Sequence, residues 1–205
     1  MPNWVSIKLN VKAQTPEELQ SFLADVDVRN DETQECAEDF NSFEFNFNAL
    51  IPQPENLYRK SVSFSDQERL AKEGIPNWYD WNIKNWGTKW NACGSNLNKL
   101  SDTECIIYFD TAWSFPDPVI AVMYDKYPNL EFNIIATEES HAFALEMDSD
   151  GNVDDLEYTY FSDGKGEVFW NADKQEWEFA DDSVAENGFD EVRLYNPRRD
   201  IEVTF

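Results

Sequence analysis

Residues 104–137 read ECIIYFDTAWSFPDPVIAVMYDKYPNLEFNIIAT and predict a strand, a helix and a second strand. The run 104–109 is almost continuously apolar, which is typical of a buried central strand. A helix is predicted over residues 118–126 and ends at the Tyr-Pro-Asn stop of 127–129. The second strand is predicted over residues 130–137. A strand, a helix and a strand within about thirty residues form one compact unit.

A second strand–helix pair opens the chain. Residues 3–11 (NWVSIKLNV) mostly alternate between polar and apolar, which indicates a strand. Residues 15–18 (TPEE) provide an N-cap, a proline at the first helical position and a capping box, so a helix should run to about residue 26. Residues 43–48 (FEFNFN) alternate and predict another strand. The order is β-α-β, insertion, β-α-β, which predicts an α+β fold: a ferredoxin-like antiparallel sheet with two helices on one face, plus a C-terminal β-hairpin extension.

The predicted domain division places a ferredoxin-like core at 1–137 and an acidic, β-rich extension packed on it at 138–205. The core contains a tryptophan-rich insertion, about 55–103, with a helix around 66–73. The extension is predicted from short alternating runs: 141–147 and 153–161 around the Asp150-Gly151 turn, 167–171 and 176–180 as a second hairpin, and 192–195 and 201–205 as edge strands.

Charge is the strongest compositional anomaly. The 205 residues carry a net charge of -25, and residues 138–205 alone hold 20 acidic and 5 basic side chains. Such a field repels nucleic acids and anionic membranes and attracts basic surfaces. We therefore expect a protein partner with a basic surface, and neither direct nucleic acid binding nor membrane binding. The predicted partner-binding acidic face comprises Asp150, Asp154, Asp155, Asp163, Asp173, Glu176, Glu178, Asp181 and Asp182.

The expected location is the cytoplasm. The opening MPNWVSIKLNV has no basic region followed by a long apolar run, and no stretch of the chain is apolar enough to span a membrane. Three cysteines in no spaced pair are more typical of free thiols in a reducing compartment than of a disulfide framework.

The segment NWGTKWNA (85–92), which follows NWYDWNIKN (77–85), allows two interpretations. In the first it is a ligand loop, where Gly87 lets the backbone approach a ligand, Lys89 contacts an anion and an indole stacks on a ring. In the second the indoles cover an open side of a thin sandwich, and their large buried area, about 200 Å² each, favours this for most of the cluster. The candidate ligand-loop residues are Trp86, Gly87, Thr88, Lys89, Trp90, Asp110 and Trp113.

Catalytic and metal-binding patterns are weak. Asp110 as a base and Ser114 as a nucleophile would need an activating histidine or lysine nearby, and Ser114 or Asp117 can instead cap the following helix. The acidic stretch 148–155 has its glycine at the fourth position, where a calcium loop needs it at the sixth. His141 is the single histidine and has no identifiable partners. The sequence therefore predicts no catalytic residues, no metal and no cofactor.

Four motifs together resemble one known family: MPNW (1–4), NWGTKWNA (85–92), FDTAWSFPDPV (109–119) and YPNLEF (127–132). They are similar to the YubB-like ferredoxin-like family, whose members are encoded by bacteriophages and conjugative plasmids. The resemblance implies a ferredoxin-like core over residues 1–137, a mobile-element origin and a bacterial host cell. It brings no catalytic residues with it.

Two functions follow as expectations. The favoured one is a non-enzymatic phage or plasmid accessory protein that binds and inhibits a host protein through its acidic face. The target would be a nucleic-acid-handling defence component, because rigid carboxylates can imitate the charge spacing of a duplex. The alternative is a small-ligand-binding protein or enzyme that uses the NWGTKW loop (85–90) and the DTAWS loop (110–114). The lack of an activated nucleophile, a phosphate loop or a metal set favours the first and leaves enzymatic activity open.

Overall fold

The computed structural model describes residues 2–27, 43–162, 166–180, 183–185 and 187–205. In chain order its elements are β1 (Trp4–Lys12), α1 (Pro16–Val26), α2 (Phe47–Leu50), α3 (Phe64–Glu73), α4 (Trp78–Trp86), β2 (Cys93–Lys99), β3 (Glu104–Ala112), α5 (Asp117–Lys126), β4 (Glu131–Glu138), β5 (Ala144–Met147), β6 (Val153–Asp155), β7 (Glu157–Ser162), β8 (Gly166–Asn171), β9 (Glu176–Phe179), β10 (Glu191–Asn196) and β11 (Ile201–Val203). None of the helices in these ranges is long and apolar enough to cross a membrane.

The first sheet is antiparallel and has the strand order β2-β3-β1-β4-β5-β6. Its first four strands are joined by helix-containing connections from β1 to β2 and from β3 to β4. The predicted α+β fold with a ferredoxin-like antiparallel sheet is confirmed at this level. The described residues contain five helices, however, where the sequence analysis expected two on the sheet and one in the insertion.

The main core lies between this sheet and several helices. Alternate residues of β1, from Val5 to Val11, are buried, and so is the apolar stripe of α1. Phe22 of α1 contacts Phe132 of β4 with ring centroids 5.6 Å apart. The predicted capping box is present at the start of α1, where the Thr15 hydroxyl accepts from the Glu18 amide at 3.3 Å. The local signals at the beginning of the chain were therefore sufficient to place β1 and α1.

Residues 43–48 do not form the predicted strand. Phe45 makes a single bridge, and Phe47 begins helix α2. The Phe47 amide donates to the Asn91 side chain at 2.8 Å, so it is not available to a neighbouring strand. The two rings still enter the core, with centroids 4.9 Å (Phe45) and 5.9 Å (Phe47) from Phe109. Their alternation thus indicated burial correctly and backbone conformation wrongly.

The second strand of the ferredoxin-like order is instead β2, inside the predicted insertion. It reads CGSNLNK and lies at the edge of the sheet, where an exposed strand needs little apolar surface. Its pairing with β3 is irregular between Cys93 and Asn96, where Gly94 has a φ of 60°. An edge strand of this composition carries almost no period-two signal, which is why the sequence analysis missed it.

The two cysteines of the described residues differ in their bonding state. Cys105 of β3 is a fully buried free thiol, and burial raises its pKa to about 11. Cys93 is disulfide-bonded, so the expectation of free thiols is wrong for that residue.

A second antiparallel sheet, with the order β11-β10-β7-β8-β9, follows the first. The predicted strand 153–161 divides at Leu156, so that β6 completes the first sheet and β7 enters the second. The two sheets meet in a small apolar cluster around Ala144, Leu156 and Leu194. The Lys8 ammonium also donates to the Thr204 carbonyl at 3.1 Å. The second sheet therefore lies against the first, and the boundary of the two domains stays a prediction.

Candidate functional site

The tryptophan segment and the DTAWS loop are docked on each other. The Thr88 hydroxyl donates to the Ala112 carbonyl at 2.8 Å, and the Ser114 hydroxyl donates to the Gly87 carbonyl at 2.6 Å. Gly87 ends helix α4 in the left-handed conformation, with a φ of 79°. A β-carbon at this glycine would lie 2.8 Å from Cδ of Pro118. Glycine is therefore required here for close packing between the end of α4 and the start of α5.

Trp86 is a core residue. It is 1% exposed, and its indole N–H donates to the Ile51 carbonyl at 3.0 Å. Its ring contacts Phe47 and Trp81 with centroid distances of 5.9 and 5.6 Å. These contacts favour the structural interpretation for Trp86.

Lys89 lies among three tryptophans. Its ammonium nitrogen is 4.3 Å from the ring centroid of Trp90, 5.9 Å from that of Trp113 and 6.0 Å from that of Trp78. A cation at such distances is attracted by the negative face of an indole. Lys89 therefore helps to hold the indoles of the two loops together.

Asp110 and Ser114 use their oxygen atoms in structural hydrogen bonds. The Asp110 carboxylate accepts from the Ser6 hydroxyl at 2.7 Å, across the β1–β3 pair. Ser114 is occupied by Gly87, as described above. Helix α5 begins after Pro116 without a side-chain cap, so the expectation that Ser114 or Asp117 caps it is wrong. None of these contacts resembles an activated nucleophile.

The two sides of the second sheet differ sharply in composition. Residues paired directly across antiparallel strands point to the same side of the sheet, and successive residues alternate. One side carries Tyr158, Leu194 and Val203, which pack against the first sheet. We call the opposite side the glutamate face, because the register places six glutamates on it: Glu157, Glu167, Glu176, Glu178, Glu191 and Glu202.

The glutamate face holds a single basic side chain within strands β7 to β11. Arg193 lies 4.2 Å from the ring centroid of Phe161 and pairs with Glu191 at 2.7 Å and Glu202 at 3.5 Å. The pairing with Arg193 lowers the pKa of Glu191, which therefore stays ionised at neutral pH. Phe169, on the same side, is 46% exposed. The face thus combines many carboxylates with one exposed aromatic ring.

The predicted acidic residues belong to both sheets. Asp150 and Asp155 are exposed on the β5–β6 hairpin of the first sheet. Asp173 is exposed in the turn between β8 and β9, and Glu176 is half-buried on the glutamate face. Three of the predicted residues lie outside the described part of the chain: Asp163, Asp181 and Asp182.

Two of the predicted acidic residues are already neutralised within the protein. Asp154 pairs with Arg198, which follows strand β10. Glu178 is 2% exposed, accepts from the Asn171 side chain at 2.8 Å and pairs with Lys174. Their charges therefore contribute less to an external partner than the exposed glutamates do.

Sequence reasoning missed four of the six glutamates on this face. Their common side depends on the pairing register. Tyr195 is paired with Glu157 and with Glu202, and Phe161 is paired with Glu167 and with Glu191. Period-two alternation within each strand was visible, whereas the partner of each strand was not.

The described residues contain no group of three or more histidine, cysteine or acidic side chains that could hold a metal ion. In the stretch considered for calcium, the Asp148 carboxylate accepts from the amides of Asp150 and Asn152 at 3.0 and 2.9 Å. These bonds close the β5–β6 hairpin turn.

The fold and the glutamate face define an acidic α+β protein with a ferredoxin-like sheet. Residues 85–163 are similar to a family described as the ferredoxin-like domain in Api92-like protein. The match runs from the end of α4 through β7, and the structure adds β1 to the centre of the same sheet. No curated protein and no solved structure matches the chain.

Proposed function

We propose that this protein binds a basic surface of a protein partner through the glutamate face and thereby inhibits the partner. The observation that carries the proposal is the register of the second sheet. It aligns six glutamates, five of them at least partly exposed, with one arginine on the side turned away from the first sheet. Exposed charges contribute little one by one, so a surface of this kind acts through many carboxylates at once.

The sheet spaces these glutamates regularly. Neighbouring strands lie about 4.8 Å apart, and alternate residues along one strand about 6.8 Å apart, so the backbone holds the glutamates in a regular array. A dense array of negative charge resembles a nucleic acid backbone and steers a basic partner during encounter. The exposed ring of Phe169 supplies an apolar anchor on the same side, as aromatic residues commonly do in protein interfaces.

The more specific part of the proposal concerns origin and setting. We place the protein in the YubB-like family, as an accessory protein of a phage or plasmid that acts on a nucleic-acid-handling defence component in the cytoplasm of a bacterial host. The motifs at 85–92 and 109–119 support this origin. We also take α1 and α5 as the two helices on one face of the first sheet, because both bury residues in the core that contains Val5 and Ile7.

We also propose that the protein is not an enzyme. The support is that the hydroxyl of Ser114 and the carboxylate of Asp110 both take part in hydrogen bonds that hold the loops and strands together. The acceptor of the Ser114 hydroxyl is a backbone carbonyl, which cannot act as its general base.

A pull-down with matched charge reversals tests the proposal. The test variant carries Glu157→Lys, Glu167→Lys and Glu202→Lys on the glutamate face. The control carries the same charge change at exposed positions of the first 137 residues: Glu55→Lys, Glu68→Lys and Asp102→Lys. Host proteins retained by wild type should be lost by the test variant, kept by the control, released by salt and displaced by duplex DNA. Equal recovery by the two variants would overturn the proposal.

A further inference from the structure

A cavity at one end of the first sheet lies beside the DTAWS loop. It has a volume of about 480 Å³ and is lined by Asn3, Trp113, Glu138, Ala142 and Phe143. Asn3 immediately precedes β1, Trp113 follows β3 and Glu138 ends β4, whereas Ala142 and Phe143 lie in the turn between β4 and β5. The ends of three neighbouring strands and one turn therefore build the site. Two of the five are aromatic and one is acidic, a combination that is typical of a pocket with an apolar body and one polar anchor.

The acidic residue is a buried carboxylate without a cation beside it. Glu138 is 4% exposed, and its Oε2 atom accepts from the amide of Ser140 at 2.9 Å and from that of Ala142 at 3.1 Å. The Ser140 hydroxyl donates to the same oxygen at 2.5 Å. Hydrogen bonding lowers the pKa of Glu138: the Ser140 side chain contributes most, followed by the Ala142 amide, the Asn3 side chain and the Ser140 amide. The carboxylate is therefore ionised at neutral pH.

The second oxygen of this carboxylate makes no hydrogen bond of normal geometry within the described residues. Oε1 of Glu138 is buried and has no partner among the residues that the structure describes. No lysine or arginine of those residues lies within 4.0 Å of it either. The bonds to Oε2 stabilise the charge, and the carboxylate retains acceptor capacity for a donor from a ligand.

Trp113 forms an exposed wall of the cavity in an unusual conformation. Its φ is 78°, a region in which a bulky residue is strained, and its side chain is 59% exposed. The Trp113 amide donates to the Asn3 carbonyl at 2.8 Å, which fixes the backbone at this position. Strain of this kind is frequently found where a side chain has to be presented to a ligand.

We propose that this cavity is a binding site for a small organic cation with a flat or apolar body, such as an amidine, a guanidine or an aromatic amine. The cationic end would pair with the carboxylate of Glu138, which lines the cavity, and the body would lie against Trp113 and Phe143. The Trp113 ring, whose centroid lies 5.9 Å from the Lys89 ammonium, adds contact area for the flat body of such a ligand. The site extends the alternative interpretation of the DTAWS loop and is independent of the glutamate face.

The residues present favour an organic cation over a metal ion. Calcium takes six to eight oxygen ligands, whereas the cavity lining provides the single carboxylate of Glu138 and the amide of Asn3. The aromatic walls would leave a hydrated metal ion without hydrogen-bond partners. An ammonium or amidinium group needs only one or two acceptors and gains from the indole.

Binding of benzamidine, agmatine and tryptamine to the full chain tests the proposal, with neutral benzamide as the matched ligand control. Ligand-observed NMR and calorimetry should detect at least one of the three cations binding more tightly than benzamide. Glu138→Gln should weaken that binding by about tenfold or more, because the charge-assisted hydrogen bond is removed. The matched protein control is Glu157→Gln, an exposed glutamate on the other sheet, which should bind as wild type does.

A second variant keeps the test valid if Glu138→Gln fails to fold. Trp113→Gly relieves the strain at a φ of 78° and should remain folded while it loses affinity for the cation. The proposal is overturned if no cation binds more tightly than benzamide, or if Glu138→Gln and Trp113→Gly bind as wild type does. Unchanged cation binding by the triple reversal on the glutamate face would separate this site from the proposed function.

Discussion

Replacing Gly87 by alanine tests how tightly the two loops are packed. Gly87 has a φ of 79°, and a β-carbon there would lie 2.8 Å from Cδ of Pro118 and 3.3 Å from the Phe115 carbonyl oxygen. Gly74, which ends helix α3, has a φ of 67° and no atom within 4 Å of the same position. Both substitutions force an alanine into the left-handed conformation, so the difference between them isolates the contact with Phe115 and Pro118.

The expected magnitudes follow from these distances. The left-handed conformation costs about 1–2 kcal/mol for any residue with a β-carbon, which is the whole effect expected for Gly74→Ala. Gly87→Ala adds overpacking of about 1–3 kcal/mol, because the Pro118 ring and the Phe115 carbonyl belong to backbone that cannot rotate away. We therefore expect Gly87→Ala to lower the free energy of unfolding by at least about 1 kcal/mol more than Gly74→Ala does.

Urea unfolding of the full chain, followed by circular dichroism, measures both effects. Gly151→Ala is a second control, because Gly151 has a φ of 80° in the β5–β6 turn and also has no atom within 4 Å. The m-values should be the same for all variants, so that midpoints report stability alone. If Gly87→Ala and the two controls lose the same free energy, the loops are not closely packed and the reasoning fails.

Three further outcomes are expected. Trp86→Phe should lower the free energy of unfolding in urea by about 2–4 kcal/mol, because it shrinks a buried ring and leaves the Ile51 carbonyl without its donor. The control Trp170→Phe changes a ring that is 51% exposed and should lower it by less than about 1 kcal/mol. Iodoacetamide at pH 8 should leave Cys105 unmodified in the folded protein and alkylate it in urea, as mass spectrometry would show, since burial raises the thiol pKa to about 11. The pKa of Glu138 is lowered in the folded protein, so its ionised carboxylate stabilises the fold at pH values above its ordinary pKa of 4.5. This contribution is lost as pH falls through the lowered pKa of the folded state. The difference in unfolding free energy between wild type and Glu138→Gln should therefore shrink as the pH falls below the folded-state pKa.

Local signals predicted a large part of the fold. The strand–helix–strand unit of β3, α5 and β4 was readable because its centre is continuously apolar and its helix ends at Tyr127-Pro128. The start of α1 was readable from its capping box. Helix α4 was missed, although Asn77 accepts from the Asp80 amide as its N-cap and Gly87 ends it. The four tryptophans of that region are also typical of a ligand loop, whereas the cap residues on either side are the signal for the helix.

The remaining features depend on tertiary contacts that the sequence does not display. Phe45 and Phe47 alternate like a strand, yet the side chain of Asn91, more than forty positions away in the chain, binds the Phe47 amide. Proximity in the sequence groups the buried Glu178 with the predicted acidic surface and leaves out Glu202. Membership of one sheet face is a property of the pairing register, and no single strand contains that information.

The cavity and the glutamate face both attract positive charge, and the salt dependence of binding distinguishes the two sites. Association through the glutamate face rests on many exposed carboxylates acting over several ångströms of water, and the Debye length of about 8 Å at physiological salt screens such interactions strongly. Binding in the cavity rests on one buried carboxylate, Glu138, in direct contact with its ligand, where screening by salt is weak. Raising the salt concentration should therefore release a protein partner steeply while it changes benzamidine affinity little. A steep salt dependence of benzamidine binding would place the small cation on the glutamate face instead of in the cavity.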